Sequence, residues 1–344
     1  MALIGLCLVS LVMLTACTPD VSGTTAYAPH DHKYEEGYCT VCGSEFGATT
    51  VNFFSFKLKA DDTYRIDVAA KATLPAHVVI PSAYNGKPVT SIHNYAFQGC
   101  TNLQSVKLPA SIQTIGQWAF RDCVNLTTIT FMGNKTTPAT LSNIGDGAFY
   151  NCAKLSAVEL PSSVLTLGEY TFSRCTSLAK VTLPQNLKTI SKSLFEGCTS
   201  LSEVTIPDGV KTIGDSAFRK CEALIEVNVP DRVFFIDCHA FQDCTALTQV
   251  SLPLALTQQL PNTPPENPND KEAAANYELY KNKTNIDVSA FDGCPNLTTV
   301  TFRGTVAEWE SVEKGYRWNY QSLPFVVVCT DGEISEEYAC SPCV

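Results

Sequence analysis

Positive charge, histidine and tryptophan are all scarce in this chain. Its 344 residues carry 24 Lys and Arg against 34 Asp and Glu, a formal net charge of −10. Nucleic-acid binding needs a basic footprint, so this balance argues against that class of partner. Only five His are present: His30, His32, His77, His93 and His239. A Cys–His nucleophile needs a base aligned with the thiol, and Cys238 and His239 are chain neighbours that seldom point at each other. There is no Gly-rich phosphate loop, no His-Glu-x-x-His pair and no Gly-x-Ser-x-Gly elbow. The expectation is therefore a protein that is not an enzyme. Charged residues are also few, at 17%, while hydrophobic residues reach 45%, enough to bury a core.

Long apolar runs are lacking too, with one exception at the N-terminus. That run ends in Leu14, Thr15, Ala16 and Cys17. It is too short to span a membrane comfortably, and it closes on small residues as a signal peptide does. These four residues resemble the lipobox of bacterial lipoproteins. The resemblance implies cleavage before Cys17 and a lipid on its sulfur, so that membrane contact runs only through the anchor. The polar stretch from Thr18 to Ala28 suits a tether.

What the chain has in abundance is a repeat. Phe recurs with Cys three residues later, at Phe97/Cys100, Phe120/Cys123, Phe149/Cys152, Phe172/Cys175, Phe195/Cys198, Phe218/Cys221, Phe241/Cys244 and Phe291/Cys294. The Phe spacings are 23, 29, 23, 23, 23, 23 and 50, a period of 23 with inserts of 6 and 27 residues. Within the copy that begins at Cys198, Leu201, Val204 and Ile206 form a first apolar group with strand alternation. Pro207 has no N–H to donate and ends the ladder. Val210 and Ile213 form a second inward pair, and Ala217 and Phe218 return the chain to the core. The pattern predicts a β-rich repeat solenoid of parallel strands, short turns and 3-10 segments. Eight or nine turns, stacked ~4.8 Å apart, make a rod of roughly 40 Å.

The motif resembles the BspA-like, or Treponema-type, leucine-rich repeat family over roughly residues 80–304. The stretch from Ile80 to Ile92 is similar to the family's way into the array. Gly304 to Trp309, with Trp318 and the segment from Cys329 to Gly332, is similar to its way out. The resemblance implies a surface protein that adheres to matrix proteins or other cells. The expected organisation is a signal peptide at 1–16, a tether at 17–47 and an N-terminal cap at 48–96. Repeats follow at 97–304 with an insert at 254–285, then a C-terminal helical cap at 305–329 and a tail at 330–344. Thr305 is a helix N-cap candidate, Val306, Trp309 and Val312 fall on one side, and a strand is expected at 325–328.

Sixteen cysteines in an exported chain invite a disulfide reading. For the eight repeat cysteines, a fixed offset from the core Phe predicts instead a buried column of reduced thiols, one per turn. A different group lies in the tether, where His30, His32, Cys39 and Cys42 stand within 13 residues. Such ligands suit tetrahedral Zn²⁺, and a local disulfide or an unstructured linker are the alternatives. A joint site with Cys340 and Cys343 would have to span the rod.

Periodicity also allows each position to be compared with its counterparts one turn away. The outward strand positions, such as Thr128/Thr130 and Lys180/Thr182, are small and polar, the composition of a solvated sheet. In the second strand, Lys188-Thr189 and Lys211-Thr212 give way to Phe234-Phe235, beside the 27-residue insert. Ala273, Tyr277 and Tyr280 share one face of a short predicted helix in that insert, and this face is expected to pack on the two rings. Either Phe234, Phe235, Tyr277 and Tyr280 form the contact site for a partner, or the insert merely shields them. The expected function is a monomeric, non-catalytic interaction protein that binds a protein or another cell-surface macromolecule. The alternative is a zinc- or carbohydrate-binding module of the envelope, resting on residues 30–42 and on Trp309, Tyr316 and Trp318.

Overall fold

The computed structural model describes residues 53–69, 71, 74–133, 138–260, 278, 280–281, 283–322 and 324–336, with the backbone of two short strands at 34–35 and 38–39. The chain winds into a three-sided coil of about ten turns at the 23-residue spacing. The extra turns come from the two caps, which continue the coil beyond the eight Phe/Cys marks.

The first side is built from parallel strands such as Ser105–Leu108, Thr128–Phe131, Ala157–Glu159, Lys180–Thr182, Glu226–Asn228 and Gln249–Leu252. Their period-2 alternation fixes the register: Val106 pairs with Ile129, Val158 with Val181 and Val227 with Val250, all facing in. The series lapses at 203–205, where Val204 is half-buried while Leu201 and Ile206 stay in the core. The second side stacks shorter strands, including Thr114–Ile115, Asn143–Ile144, Thr166–Leu167, Thr189–Ile190, Thr212–Ile213 and Phe235–Ile236.

The third side is a column of turns carrying the Phe/Cys marks. Each Phe N–H donates to the carbonyl one turn on, Phe97 to Ala119 at 2.7 Å and Phe218 to Ala240 at 2.8 Å, so this side has a ladder of its own. The eight Phe rings stack at centroid distances of 4.6 to 5.8 Å. Every one of them is essentially buried, worth roughly 2–3 kcal/mol each. Phe54 closes the column edge-on at one end and Trp318 at the other. The eight repeat cysteines are free and buried. Seven of them, Cys123 to Cys294, donate Sγ–H to the Phe carbonyl of the preceding turn at 3.1 to 3.3 Å. In the last turn Ser322 Oγ takes the same place, donating to the Phe291 carbonyl at 2.9 Å.

Both ends of the coil are closed. The antiparallel hairpin of Phe54–Leu58 and Tyr64–Val68 pairs in parallel with Lys87–Ile92 and so joins the second side. Asn85 and Gly86, at φ of 48° and 72°, make the tight turn that leads into Lys87–Ile92. At the other end the helix Val306–Ser311 opens on a reciprocal cap: Thr305 Oγ1 accepts from the Glu308 N–H, and Glu308 Oε2 accepts from the Thr305 N–H at 2.7 Å. Trp309, Val312 and Trp318 are buried beneath it. Strand Phe325–Val328 extends the first sheet, and the charged strand Glu333–Glu336 finishes it antiparallel.

Candidate interaction surface

Several residues singled out in the sequence, Cys17, His30, His32, Cys42 and Tyr277, lie outside the described residues, and of Cys39 only the backbone strand is described. The zinc and lipid expectations rest on those positions. Phe234, Phe235 and Tyr280 do come together. The Tyr280 ring meets Phe234 at 5.7 Å and Phe235 at 5.0 Å, both edge-on. Phe235 and Tyr280 are buried with Leu260 in a small satellite core, and Phe234 is half-buried against it. Phe235 does point away from the main core, as its place in the repeat requires, but the insert's two ends fold over it. In the free protein these rings are covered, so an open contact site is not what the geometry offers there. Trp309 and Trp318 are core residues of the cap, and only Tyr316 of that trio is exposed.

Lys283 fastens the insert beside them. Its Nζ lies 2.8 Å from Asp237 Oδ1, 2.9 Å from Asp287 Oδ2 and 3.3 Å from Cys238 Sγ. Asp237, Cys238 and Asp287 are grouped closely enough to ligate a metal, but the Lys283 ammonium already balances the two carboxylates. Burial lowers the Lys283 pKa, and the hydrogen bonds to Asp237 and Asp287 outweigh that and hold it above its ordinary value. Burial pushes the Cys238 thiol up to about 11, so it stays protonated at neutral pH and is a poor nucleophile. His239 faces Asp215 instead, Nδ1 to Oδ1 at 3.6 Å, which leaves no aligned Cys–His pair here.

The outer rim of the turns holds a group of side chains that strand-by-strand comparison passes over. Two residues per turn, one two places before the Phe and one two places after, adopt positive φ. In the early turns the first of these places holds Tyr95, Trp118, Gly147 and Tyr170; in the later ones it holds Ser193, Ser216, His239 and Ser289. Gly147 makes the group possible. At φ +57° it needs no Cβ, and a Cβ there would lie 2.0 Å from the Trp118 ring. The Trp118 indole therefore lies flat across the bare backbone of the next turn. Tyr150 meets it edge-on at 5.6 Å and Tyr170 stacks at 6.4 Å. The Arg121 guanidinium sits over both rings, 5.2 Å from Trp118 and 5.5 Å from Tyr150, and the Arg174 guanidinium lies 5.6 Å from Tyr150. Asp122 fixes the arrangement, accepting from Arg121 Nε at 3.2 Å and from Asn151 Nδ2 at 2.8 Å. Trp118, Tyr150, Tyr170 and Arg121 are half-buried and Arg174 is exposed.

A sequence profile described as the BspA type leucine rich repeat region matches residues 77–138, 132–248 and 269–312, with six copies. The chain belongs to this family. Similar solved structures include a leucine-rich repeat protein of T. pallidum, 29% identical with a TM-score of 0.44, over 60% of this chain and 85% of that one. A leucine rich cell surface protein of Faecalibacterium prausnitzii A2-165 is 18% identical with a TM-score of 0.35, over 77% and 97%. A leucine-rich repeat protein of Bacteroides capillosus is 26% identical with a TM-score of 0.33, over 39% and 95%. No curated protein matches.

Within this BspA-type array the outward residues of the first side are polar or small, and most of them are exposed. At the same place in the later turns Ser193, Ser216 and Ser289 are buried, so no aromatic group forms there. Trp, Tyr and Arg are the side chains that dominate protein-binding hot spots, and the early turns gather them on one rim.

Proposed function

We propose that this BspA-type protein is a non-catalytic interaction module, exported to the cell envelope, that binds a protein on a host or bacterial surface. The observation that carries the reading is the rim formed by Trp118, Tyr150, Tyr170, Arg121 and Arg174. Such rings are rigid, so they lose little conformational entropy on binding, and the guanidiniums stacked on them are already oriented. Export and anchoring are supported by the apolar run ending at Cys17. A partner using Phe235 or Tyr280 would first have to lift the insert away.

Beads coated with the intact chain test the reading on a panel of immobilised matrix proteins and bacterial cells. Retention on at least one surface is expected, with loss of about tenfold or more in Trp118→Ala and Arg121→Ala and none in Thr130→Ala. Retention equal in all three variants, or no retention on any surface, overturns it.

A further inference from the structure

A second site stands where the N-terminal hairpin docks on the array. Pairing of strand Tyr64–Val68 with Lys87–Ile92 places Arg65 opposite Ser91, Ser91 pairs onward with Thr114, and Thr114 with Asn143. These cross-strand partners share the outward face of the second side. There the small Ser91, next to the long Arg65, leaves a cleft of about 360 Å³, at the lower end of the roughly 300–1,000 Å³ typical of ligand clefts.

The lining is chemically one-sided. It includes the cations Lys59 and Arg65, the His93 ring and the amides of Asn94, Gln117 and Asn143, and it contains no carboxylate. This is unexpected in a chain of net charge −10. Lys59 is held by Asp61 and by the Thr63 and Thr90 hydroxyls, and His93 faces Asp67 at 3.3 Å. Arg65 makes no ion pair or side-chain hydrogen bond among the described residues, leaving its fork of donors free. Ser91 is 5% exposed, and its Oγ is buried without a hydrogen-bond partner. A buried, unpaired hydroxyl lowers stability and calls for an explanation, and a ligand hydroxyl would complete it.

We propose that this cleft binds a carboxylated sugar, one or two hexuronic-acid units of an acidic glycan. The carboxylate sits on the Arg65 guanidinium, which matches it bidentately. Asn94 Oδ1 already accepts from the Gln117 N–H, Gln117 Nε2 donates to Asp146 and Asn143 Nδ2 to Thr166. The ring hydroxyls therefore pair with Ser91 and with the remaining amide atoms, Asn94 Nδ2, Gln117 Oε1 and Asn143 Oδ1. Amides and hydroxyls both donate and accept, as sugar hydroxyls do. Inorganic phosphate lacks the ring of hydroxyls that could reach Ser91 and the amides together. An acidic peptide would add to an open strand edge, and the strands at this cleft are paired on both sides. Neither Trp118 nor Arg121 lines the cleft, so this inference stands apart from the function proposed above.

Isothermal titration of the intact chain provides the test, using the disaccharides of galacturonate and glucuronate, their neutral methyl esters, inorganic phosphate and an aspartate-rich peptide. At least one uronate should bind saturably, its methyl ester about tenfold or more weaker. Arg65→Ala should lose about tenfold or more. Ser91→Ala should weaken binding while its melting temperature stays level or rises, which a purely structural hydroxyl would not allow. Esters that bind as well as acids, phosphate or peptide that bind as tightly, binding indifferent to Arg65→Ala, or no saturation by either uronate each overturn the proposal.

Discussion

Raising the pH should dismantle this solenoid through its cysteine column. Burial is the first cause of the shift at every repeat thiol. From an ordinary value of 9.0, Cys100 is pushed up to about 11, Cys175 and Cys294 to about 12, and burial holds the other five well above 9.0. The folded state thus holds these protons more tightly than the unfolded chain. The contribution is fully present below pH 9 and is lost as pH climbs from there toward the folded values. At about pH 10 each unfolded thiol is mostly ionised while the folded ones are not, a difference of about 1.4 kcal/mol per thiol. Eight thiols together forfeit about 11 kcal/mol, the scale of a whole domain's stability at ~5–15 kcal/mol. Guanidinium unfolding under reductant, repeated from neutral pH to about pH 10, should show the midpoint falling steeply above pH 9. Cys198→Ala should make that fall shallower by one thiol's share. A midpoint that stays flat, or thiolate absorbance of the folded protein near pH 9 that Cys198→Ala reduces, would refute the reasoning.

Other perturbations have equally defined outcomes. Phe195→Ala opens a hole in the ring stack and should cost about 3–5 kcal/mol in chemical unfolding, whereas Thr130→Ala on the outward face should stay within about 0.5 kcal/mol. Gly147→Ala forces a positive φ on a residue with a Cβ, costing about 1–2 kcal/mol, and dislodges the Trp118 indole. Trp309 and Trp318 are buried, so acrylamide quenching reports mainly on Trp118 and should rise in that variant. Lys283→Met leaves Asp237 and the buried Asp287 without their cation and should cost about 1–3 kcal/mol, read as faster proteolysis within the insert. Thr305→Ala removes the helix cap and should cost about 1 kcal/mol by thermal unfolding.

The array was legible because its marks repeat. Eight Phe/Cys pairs in one register fix the coil, the inward thiols and the inserts without reference to any contact. The C-terminal cap was legible for a local reason, since Thr305 and Glu308 hold a helix start within four residues. The docking of Tyr280 on Phe234 and Phe235 followed from two aromatics breaking the repeat beside an insert. Of the two readings left open there, contact site or shielded rings, the structure shows the shielded one for Phe235 and Tyr280. The part of Leu260 in that cover was not legible, because it depends on where the chain folds back. The Trp118 rim has no counterpart in the strand pattern, because Trp118 and Tyr170 sit at the positive-φ places of the turns. The signal was there: Tyr95, Trp118 and Tyr170 occupy one repeat position, with Gly147 between the last two. The cleft at Arg65 and Ser91 had no such signal, since it exists only once the hairpin pairs with the array.

The most direct test of the proposed function is site-specific photo-cross-linking. A photoreactive residue placed singly at Tyr150, Thr130 or Phe234 of the intact chain is irradiated on a surface that retains the protein. Cross-linking to the partner from position 150, and not from 130 or 234, is the predicted result. Cross-linking from 130 or 234 with none from 150 would place the binding face elsewhere and contradict the account.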